Sequence, residues 1–462
     1  MASRGGFSNR LGFVAAAAGS AVGLGNIWKF PFEVGEGGGA AFVVMYLAFC
    51  FILCFPVMVT EIAIGRKTQK NPVGAFISLG HKKWKFLGIL GILAGILILS
   101  YYNVVAGWAF GYFIEIVQGN FGIGKQFGEF TSNVIKIGLY GILFMTATAF
   151  IVSKGISGGI EKAAKILMPL LIAMMLGLVI YSFTLPNAMN GVRFYLLPDF
   201  SKINFSVVYS ALGQAFFSLS LGMGALITYG SYLDRKENII SSAALITLAD
   251  VGIAFLAGMM MFPFVFSQGL EPEGGPGLIF VTLPGIFESL GGGLGIFIGT
   301  VFFLLLSFAA LTSTVSLLEV PVAYLVDEHK MPRKKAVWGM AALIFIVGIP
   351  SLLSNGASEF FSKFITYIGA ESATDFMTFI GHVANDSFLP LGGFLIVVFA
   401  AYVWKKENLN QEIESGFSSF KGTFAEKYID FAITILCPLV LGIIFLITVL
   451  NRFFGVEFGF LN

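Results

Sequence analysis

The sequence predicts an all-α membrane protein, and three observations carry that prediction. The 462-residue chain is 57% hydrophobic and only 12% charged, with a mean hydropathy of +0.87. Apolar runs of roughly 20 residues recur along its whole length, each long enough to cross ~30 Å of hydrocarbon. The basic residues are scattered between those runs, so the net charge of +2 implies a membrane protein with no nucleic-acid partner.

Eleven spans are expected, at about 11–34, 40–65, 86–118, 134–152, 163–184, 205–232, 239–267, 295–326, 336–353, 374–403 and 428–454. The first is full length and interrupted by polar residues, unlike a cleavable signal. Cys50, Cys54 and Cys437 all fall in apolar segments, which indicates neither a disulfide framework nor a metal cluster. An odd number of spans puts the termini on opposite sides. With the N-terminus cytoplasmic, that side collects 21 of the 28 Lys+Arg, from Arg4, Arg10 and Arg66 through Arg333 to Lys427. The positive-inside rule therefore predicts the N-terminus inside and the C-terminus outside. Among the outer connections, 185–204 and 268–294 are long. The second is a Gly/Pro loop leading into Val281–Leu290, which reads as a short helix packed as a lid on the outer mouth.

Two spans should not be continuous helices. Span one carries Gly19-Ser20-Ala21-Val22-Gly23-Leu24-Gly25-Asn26-Ile27-Trp28-Lys29-Phe30-Pro31, and span six carries Phe216-Phe217-Ser218-Leu219-Ser220-Leu221-Gly222-Met223-Gly224. Glycine and proline weaken helices, and a backbone opened in lipid is tolerated only where it is buried in protein or lines a cavity. Close helix packing through small residues explains the glycines one pair at a time, but not Asn26, Lys29, Ser218 and Ser220 beside them. If spans 1–5 and 6–10 are two repeats, the breaks occupy corresponding positions, which points to a secondary-transporter site. A dinucleotide fingerprint at Gly23-Leu24-Gly25 fails, because Trp28 stands at the third glycine and no β-α-β context surrounds it.

An interrupted helix offers two charged ends. Amides after the break (Gly23, Leu24, Gly25) suit a carboxylate, and carbonyls before it (Gly19, Ala21, Val22) suit a small hard cation such as Na⁺. On span eight, Ala309, Thr312, Ser313 and Leu317 share one helix face. They are placed to close a cation shell with Gly19 and Val22, although such hydroxyls more often bond their own helix.

These motifs, with Arg10-Leu11-Gly12-Phe13, Pro56, Glu61-Ile62-Ala63-Ile64-Gly65-Arg66, Gly213-Gln214 and Leu389-Pro390-Leu391-Gly392-Gly393, resemble those of the neurotransmitter:sodium symporters. The resemblance covers essentially the whole chain. It implies a LeuT-type fold: two inverted five-helix repeats at about 11–184 and 205–403, interrupted helices 1 and 6, and an extra helix at about 428–454, all in one transporter unit. It implies two sodium sites, one using Ala21, Asn26, Ser218, Asp250 and the substrate carboxylate, the other Gly19, Val22, Ala309, Thr312 and Ser313. The substrate carboxylate would meet the Leu24 and Gly25 amides and the Tyr102 hydroxyl, and its amino group the carbonyls of Ala21, Phe217 and Ser220. Ile98, Tyr102, Phe217, Ser220, Met223, Ser313 and Leu317 would line the side-chain pocket. Lys29 and Asp375 would form an outer gate, and Arg4 and Asp327, with Phe7 and Tyr232 nearby, an inner one. Glu61 would brace the break in span six. Asp386, with His382 and Asn385, has no assigned role.

Two positions depart from the family pattern. Asp250 stands where relatives commonly carry Asn, and Ala254 where some bacterial members keep a Glu. An intramembrane carboxylate costs ~3 kcal/mol and is functional by default. Chloride-dependent relatives balance two sodium ions with chloride, so Asp250 is expected to supply that charge and make transport chloride-independent. Lys29 stands where many relatives carry Arg and lacks the bidentate fork. Gly23 replaces the Asp that monoamine carriers use, leaving room for a substrate carboxylate. With no charge in the pocket and an adaptable Met223, a neutral, apolar L-amino acid is expected ahead of GABA, taurine or glycine. Rival readings are a non-transporting sensor or a channel on the same scaffold. An enzyme is not expected, since no His, Cys or metal cluster surrounds the buried acids. The short termini and the 119–133 loop suggest a prokaryotic inner (plasma) membrane protein, monomeric or weakly oligomeric, with the bilayer and the amino acid as its partners.

Overall fold

Asparagine side chains start four of the long helices. Asn9, Asn133, Asn204 and Asn238 occupy N-cap positions and accept the backbone N–H of Gly12, Lys136, Val207 and Ser241, satisfying amides that the helix itself leaves free. The computed structural model describes residues 5–270 and 277–456. Among the described residues, nine helices are long and apolar enough to cross a membrane: Ala40–Thr68, Lys82–Val117, Val134–Ser153, Ile156–Ser182, Ile239–Ser267, Gly292–Glu328, Arg333–Leu353, Phe376–Val403 and Phe424–Phe454. Arg10–Ala21 and Gly25–Glu36 make a tenth if taken as one span bent by 49°. The helices Phe205–Ser218 and Ala225–Gly230 are each too short to cross alone, so the expected eleven is reached only by counting them as one interrupted span.

Both interruptions fall where the glycines are. In the first, the helix ends at Ala21, Val22 turns to an extended conformation, and a wide π-helical turn over Gly25–Lys29 restarts it. In the second, Ser220, Gly222 and Gly224 all take positive φ (54°, 80° and 74°). Gly222 is required twice over there, because a Cβ would also stand 2.2 Å from the Leu389 carbonyl oxygen. The amide that this turn frees is met by an acid: Gly222 N–H donates to Glu61 Oε1 at 2.7 Å. An unmatched buried amide would cost about 1–3 kcal/mol.

Around these breaks the Gly292–Glu328 helix runs alongside Lys85–Val117, and Ile239–Ser267 packs on Arg10–Ala21. The 185–204 connection contains a helix, Ala188–Leu196, whose Gly191 lies against the Phe262 backbone and whose Tyr195 hydroxyl bonds the Phe255 carbonyl at 3.2 Å. The expected lid is a helical segment, Leu278–Ser289. It is anchored by Phe280, whose ring meets Trp28 at 6.0 Å, Trp108 at 5.9 Å and Tyr112 at 5.1 Å. The Gly/Pro loop before it, residues 271–276, lies outside the described residues.

Candidate functional site

The two breaks face each other across a narrow cavity of about 20 Å³. Its walls include all seven residues expected for the side-chain pocket, Ile98, Tyr102, Phe217, Ser220, Met223, Ser313 and Leu317, together with Ser20, Ala21, Gly23 and Gly25. Leu24 N–H donates to the Tyr102 hydroxyl at 2.8 Å, so an amide at the restarted helix end and a phenol meet at one point of the wall. Gly23 is needed here for space: a Cβ would stand 2.2 Å from Ser313 Oγ and 2.7 Å from the Tyr102 oxygen. Ser20 O accepts from Ser220 Oγ at 3.1 Å and from Ser313 Oγ at 3.3 Å. The cavity is thus apolar along one side and lined at the breaks by main-chain N–H and C=O groups. That lining suits a small zwitterion with an uncharged side chain.

Asp250 is fully buried beside the first break. Its Oδ1 accepts from Asn26 Nδ2 at 2.7 Å, and Ser218 Oγ lies 2.9 Å from each carboxylate oxygen. Asn26 Nδ2 also reaches Ser218 Oγ at 3.0 Å and the Asp250 carbonyl at 3.1 Å, while Asn26 Oδ1 accepts from Gly23 N–H at 2.9 Å. The amide orientation is fixed by its neighbours, since only an oxygen fits the Gly23 N–H and only an NH₂ fits the carboxylate. A neutral donor therefore sits at the point where the oxygens of Asp250 and Ser218 converge, and a cation has the same three acceptors to satisfy it. Tyr46 was not anticipated from the sequence. Its hydroxyl donates to Asp250 Oδ2 at 3.2 Å and lies 3.3 Å from Ser218 Oγ. A tyrosine in an apolar run carries no local signal of this, because the contact depends on the Ala40–Thr68 and Ile239–Ser267 helices packing together.

The second oxygen cluster is on the other side of the break. Thr312 Oγ1 lies 2.9 Å from the Ala309 carbonyl and 3.3 Å from that of Val22, and Ser313 Oγ lies 3.3 Å from Val22 O. Thr312 also bonds back to Phe308 O at 3.3 Å. Two helices thus bring two carbonyls and two hydroxyls to one place. Gly19 borders it, its Cβ direction leading to Thr312 Cβ at 3.5 Å. Uncharged oxygens from main chain and hydroxyls are the donor set of a monovalent hard cation more than of a transition metal.

Tyr102 and Phe217 separate this pocket from a second cavity of about 490 Å³, a vestibule that they also line. Lys29 lies over the Phe217 ring, 5.0 Å from its centroid, with Glu33 3.8 Å away. The expected contact between Lys29 and Asp375 is not made in this structure. Asp375 instead caps the Phe376–Gly381 helix, accepting from Thr378 N–H at 3.0 Å and Thr378 Oγ1 at 2.6 Å. That use of its oxygens holds it outside the vestibule lining.

On the opposite side of the pocket, Phe7 packs edge-on to Phe13, Tyr229 and Tyr232 at 5.6, 5.7 and 6.3 Å, and its N–H reaches Tyr232 O at 3.4 Å. The Tyr232 hydroxyl donates to Glu319 at 2.8 Å, and Arg333 pairs with the same carboxylate. Asp327 accepts from the Asn71 amide and side chain at 3.1 and 3.2 Å. Arg4, its expected partner, lies outside the described residues.

The profile described as "Sodium:neurotransmitter symporter family" matches residues 4–125 and 123–455. The uncharacterized sodium-dependent transporter YhdH of Bacillus subtilis is 36% identical over 447 residues, covering 95% of this chain and 96% of that protein. A sodium-dependent transporter of Haemophilus influenzae is 36% identical over 458 residues, covering 95% and 97%. The crystal structure of MhsT in complex with L-phenylalanine superposes with a TM-score of 0.87 at 41% identity, over 96% of this chain and 99% of that one. Broken helices, facing polar clusters and these likenesses converge: the chain belongs to the sodium:neurotransmitter symporter family.

Proposed function

We propose that the chain is a sodium-coupled symporter that imports a neutral, apolar L-amino acid by alternating access. The observation that carries this reading is the pocket between the two breaks. It joins the Tyr102 hydroxyl, which accepts from Leu24 N–H behind it, on one wall to Ile98, Phe217, Met223 and Leu317 on the others. A carboxylate replaces the Leu24–Tyr102 contact with two donors, and the apolar walls accept an uncharged side chain. The bound L-phenylalanine of MhsT supports the side-chain class, because that structure is similar over nearly the whole chain.

Two sodium ions are the proposed co-substrates. One is held by Ala21, Ser218, Asp250 and Asn26, whose amide turns its oxygen from Gly23 N–H toward the ion; the other is held by Gly19, Val22, Ala309, Thr312 and Ser313. Asp250 supplies a fixed negative charge beside the first, so no chloride is required. We read the Phe205–Ser218 and Ala225–Gly230 pair as the second interrupted span. The chain then has eleven spans in two inverted repeats plus a last helix, with the N-terminus cytoplasmic and the C-terminus outside. In that orientation the vestibule faces out while Phe7, Tyr229 and Tyr232 close the inner side, an outward-facing state.

The test is uptake of a panel of labelled amino acids into proteoliposomes with Na⁺, K⁺ and Cl⁻ varied independently. Na⁺-driven accumulation of an apolar amino acid, unchanged when gluconate replaces chloride, is expected. Absence of Na⁺-dependent accumulation of every amino acid overturns the reading.

A further inference from the structure

Span ten holds an acid that neither the pocket nor the cation clusters use. Within the Phe376–Val403 helix, residues His382–Phe388 form a widened π-helical stretch. Such stretches turn side chains out of the regular helical register and recur at functional sites. Here the stretch directs Asn385 to the Tyr101 hydroxyl at 2.7 Å, next to Tyr102 in the sequence, and sets Asp386 into the vestibule wall. The Asp386 carboxylate lies 3.5 Å from Arg452, near the end of the last helix. Lys29, Glu33, Asp386 and Arg452 all line the same cavity. Lys29 meanwhile holds only a loose contact, 3.8 Å, with Glu33 one turn along its own helix. A pair within one helix cannot join two walls.

We propose that Asp386, anchored by Arg452, is the acid that Lys29 engages when the vestibule closes over Phe217, so that the outer gate is Lys29–Asp386–Arg452. The proposal rests on the transporter reading above and names the device that shuts its outer mouth. Three points of geometry favour Asp386 over Asp375. Asp386 lines the vestibule and Asp375 does not. Asp375 has its oxygens committed to Thr378 and to Ser354, the latter at 3.4 Å. Asp386 has a single cation at 3.5 Å, which leaves acceptor capacity for a second one. Arg452 then has a defined part: it holds the carboxylate at the wall and ties the last helix to the gate. Charge pairing across the cavity also needs no bidentate fork, which suits a Lys. Asp386 is on this account a positioning residue, touching neither substrate nor sodium.

The experiment uses the full chain in proteoliposomes with Gly213→Cys in the vestibule wall, where the residue is partly exposed and an added side chain meets no atom within 4 Å, the three native cysteines being buried. Labelling by a membrane-impermeant thiol reagent, with Na⁺ and substrate present, reads how long the vestibule stays open. Uptake is read in parallel on the parent chain. If the parent shows no Na⁺-driven uptake, the transporter reading and the gate both fail. If it transports, Asp386→Asn is expected to raise the labelling rate about fivefold, the ceiling for a partly exposed ion pair, and to lower the maximal uptake rate more than the half-saturating substrate concentration changes. Asp375→Asn is expected to leave the labelling rate unchanged. The double variant Asp386→Asn/Arg452→Gln removes the stranded arginine charge and safeguards folding. It is expected to stay as open as the single variant, because Lys29 still lacks its acid. Labelling restored to the parent rate in the double variant shows that Asp386 serves Arg452 alone and overturns the gate. Fast labelling in Asp375→Asn with parent behaviour in Asp386→Asn also overturns it.

Discussion

The Leu24 amide donates to the Tyr102 hydroxyl at 2.8 Å, and this one bond closes the polar end of the pocket. The phenol bridges two helices and accepts from an amide that a bound carboxylate would take instead. On the proposed reading, substrate binding is an exchange of partners, in which Tyr102 turns from acceptor to donor. Tyr102→Phe removes the donor and leaves the amide unmatched without substrate. Loss of one hydrogen bond to a charged group is worth about 1.5–3 kcal/mol. Binding of labelled amino acid in saturating Na⁺ is expected to weaken at least tenfold, and parent affinity in Tyr102→Phe rejects the assignment.

Gly23 tests the same wall by filling it. The added methyl of Gly23→Ala would stand 2.2 Å from Ser313 Oγ and 2.7 Å from the Tyr102 oxygen, so it takes space that a carboxylate needs and pushes on two ligating hydroxyls. Overpacking costs about 1–3 kcal/mol. Because Gly23 is outside a regular helix, the change falls on binding more than on folding. The expected result is a loss of substrate binding of tenfold or more with an apparent melting temperature within a few degrees of the parent. A variant that binds normally contradicts the close approach.

Thr312 tests the proposed second sodium site apart from the substrate pocket. Its hydroxyl meets the Ala309 and Val22 carbonyls but does not line the substrate cavity. Thr312→Val keeps the shape and removes the oxygen. The Na⁺ concentration for half-maximal uptake is expected to rise roughly fivefold to tenfold, in keeping with one lost oxygen contact of about 1–1.5 kcal/mol. Substrate affinity at saturating Na⁺ is expected to stay near that of the parent. An unchanged Na⁺ dependence removes Thr312 from the cation site.

The pocket was legible from sequence because its makers are locally abnormal. Glycines, serines and an asparagine inside apolar runs mark both breaks, and the pocket residues follow from the family motifs. Two features were not legible. Tyr46 reaches Asp250 only through the packing of two helices far apart in sequence. Asp386, which has no role assigned from the sequence, lies in the vestibule wall within a π-helical stretch, and a wide turn leaves no mark in hydrophobic periodicity. The Lys29–Asp375 expectation rests on the family resemblance and overlooks an N-cap, although Asp ahead of a helix is a preferred capping residue.

The proposed ionic requirement of the cycle turns on Asp250. Its carboxylate is fully buried among three neutral groups, Asn26, Ser218 and Tyr46, at 2.7 to 3.2 Å. A buried charge held only by neutral donors is stabilised further by a cation placed against it, and removing the acid strips the site of its fixed charge. Asp250→Asn keeps the size and the hydrogen-bonding capacity but makes the site neutral. The two proposed sodium ions would then enter a region with one negative charge fewer, and a mobile anion would have to make up the difference, with the Tyr46 and Ser218 hydroxyls available to donate to it. The expected outcome is that uptake by Asp250→Asn falls at least tenfold in gluconate and recovers substantially in chloride, while the parent is indifferent to the exchange. Chloride-dependent uptake by the parent, or a variant that chloride does not rescue and that still binds sodium with parent affinity, rules out Asp250 as the compensating charge.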